Sequence, residues 1–224
     1  MDLRDCFKYF AGRQGDGVVI TSAGVTSGTW WRTTHDMDQV FYLGASMSMI
    51  SMFGAGIAMG APKLPVWVFM GDGAFVMNPG MLMVERDLNL PNLKHFLVSN
   101  RVYNATGAAR LANAKRNDYA AIARAVGIER VFEIDSLEGL HGQFDKIVSE
   151  PGHTFTVLEV EPLREKPGGV PIDDVESKFR FGRYIEKKAG IKISLTTPSL
   201  TPNCIGIPSP RWAGCASGTI VNHS

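Results

Sequence analysis

Five consecutive apolar residues, Val66-Trp67-Val68-Phe69-Met70, run directly into Gly71-Asp72-Gly73. With no polar residue in the run, neither face of a strand built from it can meet water. Such a strand belongs in a parallel sheet covered on both sides. Lys94-His95-Phe96-Leu97-Val98, stopped at Ser99-Asn100, reads as a second buried strand. Shorter runs predict further strands at Val18-Val19-Ile20-Thr21, Val40-Phe41-Tyr42-Leu43, 131–134 and 154–160. Residues 46–60 are too densely apolar for a one-sided helix and predict a buried one, broken by Pro62 and Pro65. Asn78-Pro79-Gly80 predicts a helix reaching Leu88, with Asn78 as N-cap and Pro79 in its first position. Residues 118–126, closed by Gly127, and 137–149 predict two more. Strands and helices alternate, so the expected fold class is α/β: a doubly wound, mostly parallel sheet with helices on both faces. A charged helix is expected over 176–188. Residues 1–190 are read as one domain and 191–224 as a disordered tail rich in Ser, Thr, Pro and Gly.

Composition excludes several functions. The 23 basic and 22 acidic residues leave a net charge of +1, which offers no electrostatic footprint for nucleic acid or an anionic membrane. Residues 43–62 carry no charge, yet Gly, Ala, Ser and Met dominate there, which suits a helix packed on protein rather than a membrane span. Cys6, Cys204 and Cys215 form no C-x-x-C pair, so neither a zinc site nor an iron–sulfur cluster is expected. Sparse cysteines and an N-terminus without an apolar core point to a cytoplasmic protein without a secretory leader. His35, His95, His141, His153 and His223 lack ligand spacing, and neither a P-loop nor a G-x-S-x-G elbow is present. The glycine-rich stretch 54–60 precedes a strand instead of following one, which rules out a dinucleotide fingerprint.

In open α/β sheets ligands bind beyond the carboxyl ends of the strands. Asp72 and Asn100 each follow a buried strand, and if those strands are neighbours the two side chains face one crevice. A carboxylate, an amide oxygen, a backbone carbonyl and phosphate oxygens together suit octahedral magnesium. The glycines flanking Asp72 let the backbone approach an anion closely.

Gly71-Asp72-Gly73-Ala74 followed by Asn100 resembles the signature of thiamine diphosphate enzymes. The stretch 101–107 resembles the N-x-x-Y-G-x-T-G loop of two-subunit 2-oxoacid decarboxylases. Residues 43–48 and 54–60 resemble the L-G-S-M-G and G-x-G-I-A-x-G segments of that family. The nearest likeness is to sulfopyruvate decarboxylase β-subunits and phosphonopyruvate decarboxylases. The resemblance implies that Asp72 and Asn100 ligate Mg2+ by their side chains and Val102 by its carbonyl. It implies that Gly71, Gly73 and Ala74 hold the diphosphate by backbone contacts and that Tyr103 covers it. Met47, preceded by Ser46, matches the wedge between the two rings of thiamine diphosphate, and the Ala45 carbonyl would accept a hydrogen bond from the aminopyrimidine. Gly24 and Thr26 add contacts at the first strand end.

Three positions depart from the family pattern: Ser48 and Asn104 replace glycines, and Arg101 stands where a small or polar residue is usual. The implied activity is non-oxidative decarboxylation of a small 2-oxoacid by a cofactor-binding subunit. A separate pyrimidine-binding subunit of about 150 residues would supply the activating glutamate, making a heteromer. Alternatives are a subunit of a carboligase or of a 2-oxoacid:ferredoxin oxidoreductase, or a non-catalytic binding subunit retaining the fold. Arg101, Arg110 and Lys115 are read as solvated surface charges unless one meets the anionic group of a substrate.

Overall fold

The computed structural model describes residues 1–193, apart from 164 and 166 and the side chain of residue 105. Of the tail expected over 191–224, residues 194–224 lie outside the described residues. In chain order the strands are β1 (Val18–Ser22), β2 (Val40–Leu43), β3 (Val66–Gly71), β4 (Leu93–Ser99), β5 (Val102–Tyr103), β6 (Ala109–Arg110), β7 (Val131–Ile134) and β8 (Thr154–Glu159). The helices are α1 (Leu3–Ala11), α2 (Val25–Thr34), α3 (Ile50–Gly60), α4 (Asp72–Phe75), α5 (Met81–Leu88), α6 (Tyr119–Ala125), α7 (Leu137–Val148) and α8 (Asp174–Ala189). Six strands form one sheet in the order β2-β1-β3-β4-β8-β7, every neighbouring pair parallel. β5 and β6 make a separate antiparallel ribbon.

The apolar run that opened the sequence explains the layering. Val66, Val68 and Met70 point into one core, shared with α3, α5, α6 and α8. Trp67 and Phe69 point into the other, shared with α1, α2 and α7. Each of these buried side chains contributes roughly 1.5–3 kcal/mol of transfer free energy, so β3 anchors both layers. The chain leaves β1 for β2 on one side and returns to β3 on the other. That reversal opens a crevice between the carboxyl ends of β1 and β3.

Several elements differ from the sequence expectation. α1 was not anticipated; Asp2 caps it, accepting the Arg4 N–H at 2.7 Å, and Leu3, Cys6, Phe7 and Phe10 form its buried stripe. α2 is built from Val, Thr, Ser and Gly, all poor helix formers. Tertiary packing overrides propensity there: Trp30 is fully buried, its ring 5.0 Å from Phe7 and from Phe69. α5 begins at Met81 with Gly80 at its N-cap, while Asn78 sits in the preceding turn, where its carbonyl accepts the Met81 N–H. A 3-10 turn, Met47–Met49, precedes α3. α3 is buried on one side only: Ile50, Ser51, Gly54, Ala55 and Ala58 are buried, while Phe53 and Met59, and Met49 just before the helix, are exposed. Gly54 allows that seat, because a methyl there would lie 2.3 Å from Val68 Cγ2. On the opposite face the segment after β8 lies on α2 at Gly28, where a methyl would stand 2.5 Å from the Gly168 carbonyl.

Candidate functional site

β3 and β4 are hydrogen-bonded neighbours, with Gly71 level with Val98. Asp72 and Asn100 therefore follow adjacent strand ends, the neighbourhood on which the sequence expectation depends. Asp72 opens the single-turn α4 and is 2% exposed. Its Oδ2 accepts the Arg101 N–H at 2.7 Å. Among the described residues no cationic side chain forms an ion pair with it; Arg101, the nearest cation, is itself paired with Glu159. Burial raises the Asp72 carboxyl to about 6, partly opposed by the backbone N–H groups of Arg101 and Gly73. Asn100 is buried too, and its Oδ1 accepts the Val102 N–H at 3.1 Å, with a second lone pair remaining on that oxygen. The described residues contain no cluster of three His, Cys, Asp or Glu side chains fit for a metal. A cation here would rest on one carboxylate, one amide, backbone carbonyls and the oxygens of a phosphate ligand. That donor set suits a hard, hydrated ion such as magnesium, and an uncompensated buried carboxylate is what such an ion would neutralise.

The remaining residues named from sequence surround this pair. The Gly71 N–H donates to Ser22 Oγ at 3.0 Å, tying the ends of β1 and β3 together. Thr26 is buried in the first turn of α2, its Oγ1 3.7 Å from where a Gly71 methyl would stand. Gly24 caps α2 with φ 90°, a conformation that favours glycine. The Tyr103 ring lies against Gly73, so closely that a methyl there would meet Cδ1 at 2.8 Å. Ala74 is buried. Val102 is half-buried in the β5–β6 ribbon. Ala45 and Ser46 are exposed after β2, Ser46 with φ 56°, and Met47 packs against the α3-side core.

Sequence reasoning missed Ser22, because a serine at a strand end carries no signal of its own. Asn104 was noticed only as a departure from a pattern. It is 9% exposed, its Oδ1 has no partner, and it lines a cavity of ≈ 400 Å3 beside Gly24, Ser27, Tyr42 and Gly44. Arg101 is partly exposed but paired with Glu159, whereas Arg110 and Lys115 are exposed.

A second buried carboxylate lies at the opposite end of the sheet. Glu85 of α5 is fully buried, 3.0 Å from His95 Nδ1 on β4 and 2.9 Å from His153 Nε2. Burial alone would raise it, but the two imidazoles outweigh that and hold Glu85 well below the usual carboxylate range.

The profile of the family "Thiamine pyrophosphate enzyme, C-terminal TPP binding domain" matches residues 26–160. Sulfopyruvate decarboxylase subunit beta of Methanocaldococcus jannaschii is 26% identical over 170 residues, spanning 76% of this chain and 89% of that one. Phosphonopyruvate decarboxylase of Streptomyces viridochromogenes is 31% identical over 171 residues, spanning 76% of this chain but only 42% of that one. The solved thiamine diphosphate-dependent 4-hydroxybenzoylformate decarboxylase of Rhodococcus jostii RHA1 superposes with a TM-score of 0.61 at 15% identity, over 74% of this chain and 33% of that one. This likeness shows the shared fold.

Proposed function

The chain belongs to the thiamine pyrophosphate enzymes through their C-terminal TPP-binding domain, and from that membership we propose that it is the magnesium- and thiamine diphosphate-binding subunit of a heteromeric, non-oxidative 2-oxoacid decarboxylase. The sulfopyruvate- and phosphonopyruvate-type relatives support that substrate class. The observation that carries the reading is Asp72: a buried carboxylate, beside Asn100 on the neighbouring strand end, with no cation of its own.

In this reading Asp72 and Asn100 hold magnesium by their side chains and Val102 by its carbonyl. Gly71, Gly73 and Ala74 offer backbone to the diphosphate, with Gly24 and Thr26 at the start of α2. Tyr103 screens that end from water, and Ala45, Ser46 and Met47 position the ring end. Bound thiamine diphosphate supplies a carbon nucleophile for the 2-oxoacid carbonyl and an electron sink for the departing carboxylate.

The relatives also support a partner. The chain spans most of proteins named subunit beta, yet under half of the single-chain phosphonopyruvate decarboxylase. Met49, Phe53, Met59, Met77, Met83 and Val84 are exposed on and around α3 and α5. Met49 Sδ accepts from Asn78, and Met81 Sδ from Ser51, which links the two stretches. A separate pyrimidine-binding subunit docking there would bury apolar surface that solvent-facing helices rarely carry. No helix among the described residues is long and apolar enough to cross a membrane, and sparse cysteines support a cytoplasmic location. Titration of the chain and its partner with thiamine diphosphate, with and without Mg2+, tests the assignment. Tight binding that requires the metal is expected, and no binding would overturn it. Product analysis with sulfopyruvate and phosphonopyruvate then distinguishes the substrates.

A further inference from the structure

Arg101 combines two features that rarely coincide. It is a non-glycine residue in the left-handed region, φ 64°, and it immediately follows Asn100. For a side chain with a Cβ that backbone costs free energy, and glycine or asparagine is the usual choice. Something must hold an arginine there. Its guanidinium grips Glu159 at the end of β8 in a two-pronged pair, Nη2 to Oε1 and Nε to Oε2, the latter at 3.3 Å. Nη1 donates to the carbonyls of Asn117 at 2.6 Å and Ala114 at 3.3 Å. The same group lies 4.9 Å above the Tyr119 ring, and that ring packs edge-on against Phe75 of α4, the helix that Asp72 opens. The side chain is therefore held from three directions, by Glu159, by the Asn117 and Ala114 carbonyls and by the Tyr119 ring. Its backbone N–H donates to Asp72 Oδ2 at 2.7 Å.

We propose that Arg101 is a positioning residue for the metal site: its clamp on Glu159, Asn117 and Tyr119 enforces the left-handed backbone that aims its N–H at Asp72 and so orients that carboxylate toward magnesium. This rests on the magnesium reading of Asp72 given above. The arginine is thus no substrate-recognition group, and its departure from the family pattern has a mechanical purpose. A bidentate guanidinium–carboxylate pair resists rotation in a way a lysine ammonium cannot.

The test is the Mg2+ dependence of thiamine diphosphate binding by the chain with its partner, in Arg101→Ala, Arg101→Gly and Arg101→Lys. Removing the clamp while keeping a Cβ, Arg101→Ala should weaken Mg2+ binding at least tenfold. Arg101→Gly also lacks the clamp but adopts positive φ freely, so it should recover most of that loss. Arg101→Lys should fall between them. Equal Mg2+ affinity in wild type and Arg101→Ala would overturn the proposal, and so would Arg101→Gly binding no better than Arg101→Ala. A second readout stands apart from the cofactor: amide hydrogen exchange at position 101 in the metal-free chain. Protection there should persist in wild type and Arg101→Gly and fall at least tenfold in Arg101→Ala; unchanged protection in Arg101→Ala would overturn the proposal. Failure of the wild type itself to bind Mg2+ and thiamine diphosphate sinks the functional reading instead, and the exchange measurement still decides the backbone role.

Discussion

Asp72 and Glu85 are both buried carboxylates, set at opposite ends of the same sheet, yet their environments push them in opposite directions. Glu85 has its compensation built in, since His95 and His153 reach it from β4 and from the start of β8. Asp72 has two backbone donors and no ion pair, the nearby Arg101 charge being paired with Glu159, and burial raises it to about 6. A protein interior does not tolerate an ionised carboxylate without a counter-charge. One end of the sheet surrounds its carboxylate with hydrogen-bonding imidazoles from its own chain, and the other offers only backbone donors. The contrast sets a carboxylate hydrogen-bonded by side chains of its own chain against one held by backbone N–H groups, the one proposed to meet a ligand.

The largest effect should come from breaking the compensated end. Glu85→Ala leaves two buried imidazoles without their acceptor and should cost about 3–5 kcal/mol, lowering Tm by roughly 10 °C in thermal denaturation. At the other end, Asp72→Ala should weaken Mg2+-dependent thiamine diphosphate binding about a hundredfold, or ~2.7 kcal/mol by titration calorimetry, while the fold survives. A sharper contrast follows from charge alone. Asp72→Asn removes an uncompensated charge, so in metal-free protein above pH 6 it should raise Tm by a few degrees, whereas Glu85→Gln should lower it. The folded-state carboxyl of Asp72 lies above its unfolded value, so this penalty is absent below about pH 4 and complete above about 6. Glu85 has the reverse sign. Its stabilisation is present above the ordinary value of 4.5 and is lost as pH falls further, so wild type and Glu85→Gln should converge in stability on acidification. The smallest effect belongs to Ser22→Ala, which leaves the Gly71 N–H without its acceptor. It should cost about 1 kcal/mol in thermal denaturation and a few-fold in cofactor affinity.

The Asp72 end was legible in the sequence because its parts are carried by strand termini. An apolar run that stops at Gly71-Asp72-Gly73, and another that stops at Asn100, announce where two side chains emerge. Adjacency of β3 and β4 was the one missing step, and the topology supplies it. The Glu85 end was invisible for the opposite reason. Its three members lie on α5, β4 and the approach to β8, and no spacing rule relates them. α2 was hidden by its own residues, since Val, Thr, Ser and Gly argue against a helix until Trp30 is seen wedged between Phe7 and Phe69. α1 carries a stripe of Leu3, Cys6, Phe7 and Phe10 at helical spacing, legible in the sequence but short. Arg101 looked like a surface charge because a local reading cannot see Glu159 across the sheet.

The close seat of the segment after β8 on Gly28 has a consequence for access. Pro167, Gly168, Gly169 and Val170 form one wall of the cavity beside Gly24 and Asn104, and Gly28 is the floor that wall rests on. A single added methyl at Gly28 would strike both the Gly168 carbonyl and the Pro167 ring. Gly28→Ala is therefore a crowbar of atomic size: it should prise the wall outward and widen the mouth of the cavity while touching none of the residues assigned to the metal. How large a molecule can enter is thus set from beneath, by the absence of one carbon atom in α2.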